Sequence, residues 1–252
     1  MESLIKIAAL MTAPRYENTY ARNIIERALK DLGVPLTISG GVFYGQCMQK
    51  MLEKLIEHGG IDYAVTVDFD SLFSARQLQR LINWIHSTPE IDAITGMQVK
   101  RGKPIMLGTV PGGTMIDADT KQIQWDGKPI LATTAHFGLT VIDLKKLERV
   151  AKPWFHAIPD SNGSWEGEDK IDDDVAFWLK WKDAGNSIYI DPGVRLGHLE
   201  EMVAIHDENA VPTHIPFGMG EVRLCTCSLL NLGNASKSGI FLQPCKMAFA
   251  TY

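Results

Sequence analysis

The first hundred residues alternate short apolar runs with longer amphipathic segments, and this alternation constrains the fold more than any other feature. The apolar runs, over 4–10, 34–38, 63–67 and 91–97, have the length of buried strands. Between them, apolar residues recur at three- and four-residue steps, as on the buried face of a helix. The order strand, helix, strand, helix, strand, helix, strand predicts an α/β fold with a single Rossmann-like, mostly parallel sheet flanked by helices.

The later part of the chain is less regular. Asp143 is placed to cap a short helix over 144–150, which Pro153 would stop. A further helix is predicted around Trp178 and Trp181, followed by a strand over 187–190. The polar, Gly-containing segment 159–169 is predicted to be a loop that acts as a lid when a ligand binds. After about residue 205 the sequence has no clear period.

Composition excludes several classes of protein. The 252 residues are 45% apolar, enough for a sizeable core, yet no apolar run reaches the 18 residues of a membrane span. Thirty acidic against 25 basic residues give a net charge of −5, which argues against a dedicated nucleic-acid binder. The N-terminus lacks the features of a signal peptide. We therefore expect a cytoplasmic protein with no strong nucleic-acid or membrane signal.

The cysteines fit that expectation. Three of the four lie near the C-terminus, and Cys225-Thr226-Cys227 has a spacing that could hold a metal or form a redox pair. A zinc site would need a fourth ligand at a suitable spacing, and the sequence offers no clean one. Free thiols in a reducing compartment are the simpler interpretation.

An acidic pair, Asp68-Phe69-Asp70, follows the third predicted strand directly. The Asp-x-Asp pattern occurs three times in the chain, so the pattern alone is weak, and its position decides the interpretation. In doubly wound sheets, ligands bind at the carboxyl ends of the strands, where this pair falls. Paired carboxylates suit a divalent cation such as Mn²⁺ or Mg²⁺. The alternative is that Asp70 only caps the next helix, beside Ser71.

A second acidic cluster, Asp172-Asp173-Asp174, stands at the start of the helix around Trp178. One interpretation is structural, because the helix dipole favours acidic residues in the first turn. The other is that one carboxylate is a general base that accepts a hydroxyl proton. Asp174 precedes Trp178 by four residues and should share its inward face, which makes it the first candidate, with Asp173 the second.

Four segments in order resemble glycosyltransferases of the A-type fold, in particular the large inverting family 2-like group. The segment ending in Asp68-Phe69-Asp70 resembles their Asp-x-Asp strand end. Ala135–Thr140 is similar to the segment that lines the donor sugar in the family. Asp173–Phe177 is similar to its Glu-Asp-x-x-Phe helix, and Gly197-His198 is similar to its late Gly-His. The resemblance covers roughly residues 4–200. It departs at Asp173, where the family usually has Glu, and Asp172 adds a further candidate base.

The resemblance implies a role for each matching residue. Asp70 and His198 would hold the metal on the donor diphosphate, and Asp68 would contact the ribose or a metal-bound water. Asp174, or its neighbour Asp173, would be the base. The donor nucleotide and sugar would be bordered by the first loop and by two later segments: Thr12, Ala13, Pro14 and Arg15, then Phe69, Phe137 and Gly138. The catalytic domain would span residues 1–204, leaving 205–252 as a tail of unclear structure.

The resulting expectation is a metal-dependent glycosyltransferase that moves a sugar from a UDP- or GDP-sugar to an acceptor hydroxyl. The family pattern favours inversion. The acceptor itself is not indicated by the sequence. One alternative is a phosphatase similar to the haloacid dehalogenases, with Asp68 as nucleophile, Asp70 as acid, and Lys170 and Asp172 or Asp173 as its downstream residues. Another is a nucleotide-sugar-binding protein that has lost catalysis.

Overall fold

The structure, a computed structural model, describes residues 5–13, 17–100, 105–111, 114–117, 126–167, 169–200, 202–206 and 211–216. The chain divides into two compact units, Met1–Met202 and Val203–Tyr252. Cys225, Cys227 and Cys245 lie outside the described residues, so the structure does not bear on the interpretation of those thiols.

The first unit begins with the alternating elements that the sequence predicts. They are β1 (Ile7–Ala13), α1 (Thr19–Asp31), β2 (Leu36–Gly40), α2 (Tyr44–His58), β3 (Tyr63–Asp68), β4 (Ser71–Leu72), α3 (Ala75–Ser87) and β5 (Ala93–Met97). There follow β6 (Ile105–Val110), β7 (Thr114–Asp117), β8 (Ile130–Ala132), β9 (Leu139–Asp143), α4 (Leu144–Leu147), α5 (Asp173–Asp183), β10 (Ile188–Arg195) and β11 (Gly197–His198).

Seven strands form one sheet in the order β2-β1-β3-β9-β5-β10-β8. The pairs β1–β2, β1–β3 and β5–β10 are parallel, whereas β9 is antiparallel to both β3 and β5. Five strands therefore share one direction, and β9 and β8 oppose them. This arrangement confirms the predicted single, mostly parallel sheet of an α/β fold.

Helices cover both faces of the sheet. On one face α1 and α3 pack against the strands, with Ile25 and Leu81 fully buried in that core. On the other face α2, α4 and α5 form a second core, which contains Leu52 and Trp178. Along β1, successive side chains enter opposite cores, as the two-residue period of a strand requires.

Helix starts are fixed by local hydrogen bonds. The Asn18 side chain accepts from the backbone N–H groups of Tyr20 and Ala21 at the start of α1. Ser74 and Gln77 form a reciprocal capping box at the start of α3. Asp143 caps α4 as predicted, although the regular helix ends at Leu147, earlier than the apolar pattern indicates.

The sequence does not predict the strand at the centre of the sheet. β9 is inserted antiparallel between β3 and β5, so the sheet is mixed rather than uniformly parallel. Each of the three central strands contributes a buried threonine, and the hydroxyls of Thr95 and Thr140 donate to backbone carbonyls at 2.9 and 2.7 Å. These bonds satisfy polar groups that the sheet interior would otherwise leave unpaired.

Two strands near the end of the described chain, β12 (Met202–His206) and β13 (Pro212–Pro216), pair with each other in a separate two-stranded sheet. The end of β12 and all of β13 lie after about residue 205, where the sequence has no clear period. Among the described residues, no helix combines the length and the apolar character that crossing a membrane requires.

Candidate active site

A cleft of about 640 Å³ opens at the carboxyl ends of the parallel strands β1 and β3. Thr12 and Asp68 are paired in register at the ends of these strands, so both lie at its edge. Its lining comprises Thr12, Tyr44, Asp68, Phe69, Asp70, Gly108, Thr109, Thr134, Ala135, His136, Phe137, Asp172, Asp173, Asp174, Val175 and His198. Both acidic clusters of the sequence therefore reach one cavity.

A second groove of similar volume, about 630 Å³, lies along the outer side of α3. Its lining includes Arg76, Arg80 and Trp84, and none of the described residues that line it carries a carboxylate. The cleft at the strand ends is the better candidate for chemistry, because ligand sites of open α/β sheets lie there and because its polar groups converge.

Asp70 and His198 are in contact although they are far apart in the sequence. β4 and β11 pair antiparallel, with Ser71 opposite His198, and the Leu199 N–H donates to the Asp70 carbonyl at 2.8 Å. The result is a separation of 3.3 Å between His198 Nε2 and Asp70 Oδ2. The Asp70 side chain is 7% exposed and that of His198 is 14% exposed, so water screens this contact little.

The backbone fixes the orientation of the His198 ring. Its Nδ1 lies 2.8 Å from the Val99 carbonyl oxygen, and a carbonyl only accepts, so Nδ1 carries the hydrogen and donates. When the ring is neutral, the lone pair is then on Nε2, the atom that faces Asp70. A histidine that donates through one nitrogen and presents the other is the arrangement typical of a metal ligand.

Asp173 links the N-termini of two helices. Its Oδ2 accepts a hydrogen bond of 3.0 Å from the Gly45 N–H, in the first turn of α2. The N-cap of α2, Phe43, has no side chain that could accept from that turn, so Asp173 supplies the acceptor from α5. A β-carbon on Gly45 would lie 2.5 Å from Asp173 Oδ2, which explains the glycine. Asp173 therefore has a structural role within the cleft wall.

The acidity of Asp174 is strongly perturbed. Burial raises its pKa from 3.8 to about 6, and the negative charges of Asp173 and Asp172 add to the rise. A hydrogen bond of 2.8 Å from the Val175 N–H to Oδ1 acts in the opposite direction and does not outweigh burial. Asp172, in contrast, is 58% exposed and lies 3.5 Å from the Lys170 ammonium group.

His136 lines the floor of the cleft and has a structural rather than a reactive role. Its Nε2 donates to the Gly96 carbonyl at 2.9 Å, and its Nδ1 accepts from the Gly138 N–H at 3.0 Å. Burial lowers its pKa from 6.5 to about 4, so the ring is neutral near pH 7. The ring holds the start of β9 against β5, and the Gly138 carbonyl in turn accepts from the Asp68 N–H at 3.3 Å.

Sequence reasoning did not identify Tyr44, the first residue of α2. Its ring packs against Phe137 and Phe155, with centroid distances of 6.1 and 6.0 Å, and it lines the cleft. Burial, followed by the charge of Asp68 and then of Asp174, raises the pKa of its hydroxyl well above 10. No pattern around residue 44 signals this position, which depends on the packing of α2 against the aromatic core.

The structure brings most of the predicted site residues together in the cleft. Those that line it are Thr12, Asp68, Phe69, Asp70, Phe137, Asp173, Asp174 and His198. Ala13 and Gly138 are buried and are not among its lining residues. Pro14 and Arg15 lie outside the described residues. Within the described part of the chain, no group of three or more histidine, cysteine or acidic side chains could by itself hold a metal ion.

No protein-family model matches the chain, and no curated protein sequence matches it. Solved structures do match. "Crystal Structure of A197 from STIV" superposes with a TM-score of 0.57 at 13% identity, over 82% of this chain and 93% of that one. This likeness shows a shared fold.

Two further matches have lower TM-scores. "Crystal structure of GalNAc-T7 with UDP, GalNAc and Mn2+" has a TM-score of 0.48 at 10% identity, over 78% of this chain and 43% of that one. The mannosyltransferase PcManGT from Pyrobaculum calidifontis, in complex with GDP-Man and Mn2+, has a TM-score of 0.47 at 12% identity, over 78% and 57%. This chain spans about half the length of those two proteins.

Proposed function

We propose that the chain is a metal-dependent glycosyltransferase that moves a sugar from a nucleoside diphosphate sugar to an acceptor hydroxyl, with inversion. The observation that carries the proposal is the contact between Asp70 and His198 in the same cleft as Asp174. It pairs a site suited to a cation and its diphosphate with a carboxylate suited to proton transfer.

The residues fit a divalent cation that a substrate helps to bind. Asp70 Oδ2 and His198 Nε2 are 3.3 Å apart, close to the roughly 3 Å between neighbouring ligand atoms of an octahedral ion with 2.1 Å bonds. An oxygen and an imidazole nitrogen suit Mn²⁺, and Mg²⁺ usually takes one or two carboxylates plus substrate phosphates. The lack of a larger ligand cluster among the described residues agrees with a site that diphosphate oxygens complete.

Asp70 and His198 would hold the cation, and Asp68 would contact the donor from the adjacent strand end. When bound, the cation would neutralise the negative charge that develops on the leaving diphosphate. Thr12, beside Asp68, borders the same edge of the cleft, so the nucleotide would lie along the ends of β1 and β3.

Asp174 would accept the proton of the acceptor hydroxyl as that oxygen attacks the anomeric carbon. With a pKa of about 6 it is mostly ionised at pH 7, yet it binds a proton more readily than an ordinary aspartate. Asp173 is less suited to this role because its carboxylate accepts from the Gly45 N–H. A base on the acceptor side, opposite the leaving group, leads to inversion at the anomeric carbon.

The phosphatase alternative has weaker support. It requires Lys170 beside the acidic pair, whereas Lys170 pairs with Asp172 and does not line the cleft within the described residues. The contact of Asp70 with a histidine also has no role in that scheme. Covalent phosphorylation of Asp68 would nevertheless establish it.

A screen of nucleotide sugars tests the proposal. The wild-type chain is incubated with UDP- and GDP-sugars with Mn²⁺, with Mg²⁺ or with EDTA, and thermal stabilisation and release of UDP or GDP are measured. Water serves as the acceptor, so the unknown acceptor is not required. Asp70→Asn removes one charge from the cleft, and Asp183→Asn, at the far end of α5, is the matched control.

We expect at least one donor to stabilise the wild type and Asp183→Asn only when a divalent cation is present, and we expect Asp70→Asn to lose this effect. Asp174→Asn should keep donor binding within a few-fold and lose turnover by roughly 10²–10⁴-fold. Tight donor binding without turnover in the wild type would favour the non-catalytic alternative. Equal donor binding with and without cation in the wild type, or a cation-dependent stabilisation that persists in Asp70→Asn, contradicts the metal assignment.

A further inference from the structure

Tyr44 has a hydroxyl that nothing in the described part of the chain satisfies. The oxygen is buried and has no hydrogen-bond partner there. A buried, unpaired hydroxyl is costly, because it has lost its bonds to water without gaining any from the protein. A group kept in this state inside a cleft calls for an explanation beyond packing.

The ring around that hydroxyl is firmly held. Phe137 and Phe155 contact it at centroid distances of 6.1 and 6.0 Å, the second edge-on, and both belong to the aromatic core beneath the cleft. At the backbone, the neighbouring Gly45 N–H is bonded to Asp173. The ring therefore has a fixed position among apolar side chains at the lining of the cleft.

The surroundings make the hydroxyl a hydrogen-bond donor. Burial favours the protonated form of the hydroxyl, and the charges of Asp68, Asp174 and Asp173 add to this effect. Asp68 stands at the end of β3, and the other two stand at the start of α5. Tyr44 thus shares the cleft with the carboxylate assigned to the donor and the carboxylate assigned to the acceptor, and both charges act on its hydroxyl.

We propose that Tyr44 binds the transferred sugar of the donor, its hydroxyl donating to a sugar oxygen while its ring packs against the C–H face of the sugar. This inference rests on the proposed function and deepens it. In a transferase, the group between the diphosphate and the acceptor is the sugar, whose hydroxyls accept hydrogen bonds and whose ring has an apolar face. Tyr44 and Phe137 together give the cleft the apolar surface that such a ring requires.

Tyr44→Phe tests the proposal, because it removes the hydroxyl and keeps the ring. Dissociation constants are measured by calorimetry with Mn²⁺ for UDP, UDP-glucose, GDP and GDP-mannose, and the melting temperature is measured without ligand. Tyr20→Phe is the matched control, since Tyr20 is 63% exposed on α1 and loses the same atom.

We expect Tyr44→Phe to bind the nucleotide sugar that the wild type binds, but roughly 3- to 10-fold more weakly than the wild type does. This is the usual contribution of one neutral hydrogen bond. Its affinity for UDP or GDP alone should stay within about twofold of the wild type, as should every affinity of Tyr20→Phe. Its melting temperature without ligand should be unchanged or higher, because an unpaired buried hydroxyl has been removed. A purely structural tyrosine would instead lose stability.

Three outcomes overturn the assignment. The first is unchanged affinity for the nucleotide sugar, the second is an equal loss for nucleotide and nucleotide sugar, and the third is a lower melting temperature without ligand, which would show that the hydroxyl has a structural role. If the wild type itself binds none of the four ligands, the proposed function fails and takes this inference with it. If the wild type binds a nucleotide sugar and Tyr44→Phe binds it equally well, the inference about Tyr44 fails while the proposed function stands.

Discussion

Replacing Asp174 with asparagine should stabilise the folded chain at neutral pH. The folded state raises the pKa of Asp174 from 3.8 to about 6, chiefly by burial, so the charged form is disfavoured in the fold. The sign follows from proton binding: between these values the folded state binds more protons than the unfolded state, so this group lowers stability as pH rises from 3.8 to 6. Above pH 6 the whole penalty is present.

The magnitude follows from the same two values. At about 1.4 kcal/mol for each pKa unit, the difference corresponds to roughly 3 kcal/mol, and partial contact with solvent reduces it to roughly 2–3 kcal/mol. Asparagine retains an oxygen that can accept from the Val175 N–H, so that hydrogen bond need not be lost. The gain in stability and the loss of turnover would then come from the same substitution.

Urea denaturation from pH 3.5 to 8 measures the effect in wild type and Asp174→Asn. We expect their free energies of unfolding to agree near pH 3.5 and to diverge with rising pH, the variant becoming the more stable. Asp183→Asn reports the effect of removing a charge from the same helix. A variant that is less stable than wild type at pH 7, or a difference that does not change with pH, would refute the argument from burial.

Three further predictions concern the floor of the cleft and the segment 159–169. His136 is held neutral with a pKa of about 4, so its contribution to stability is full above pH 6.5 and is lost as pH falls through 4. In urea denaturation, the free energy of unfolding of His136→Asn should therefore fall less than that of the wild type between pH 6.5 and 4. Gly138→Ala should destabilise the fold by roughly 1–3 kcal/mol, because the added carbon would lie 2.4 Å from Gln98 Oε1. Gly40→Ala is the control, since its added carbon would have its nearest contact at 3.8 Å. Equal melting temperatures of the two variants would argue against this close packing. Amide exchange in 159–169 should slow when donor and cation bind, and identical exchange in both states would remove the lid from the account.

The order of seven elements from β1 to β5, without the two-residue β4, could be predicted because each carries a local pattern. Strands β1 and β3 are short apolar runs, and α3 has buried residues at helical spacing from Leu78 to Ile85. β9 could not be placed in the same way. Its run Leu139–Asp143 has the composition of a strand, but only long-range pairing with β3 and β5 decides that it enters the centre of the sheet antiparallel.

In the candidate site too, local sequence patterns indicate some residues, whereas others depend on long-range packing. Asp70 and Asp174 could be selected from sequence because each follows or starts a recognisable element. The meeting of Asp70 with His198 depends on the β4–β11 pairing, which no local pattern specifies. Tyr44 was missed because an aromatic residue at the start of a helix normally indicates packing, and its unpaired hydroxyl is visible only once the surrounding groups are known.

Binding of Mn²⁺ together with UDP beside His198 is the most direct test of the central claim. The seven histidines can be labelled with ¹⁵N and their ring signals followed while Mn²⁺ and UDP are added, since the ion broadens only nearby signals. We predict that the His198 signal broadens and that of His86, at the end of α3, persists, with the broadening at His198 lost in Asp70→Asn. A sharp His198 signal in the presence of saturating Mn²⁺ and UDP would contradict the account.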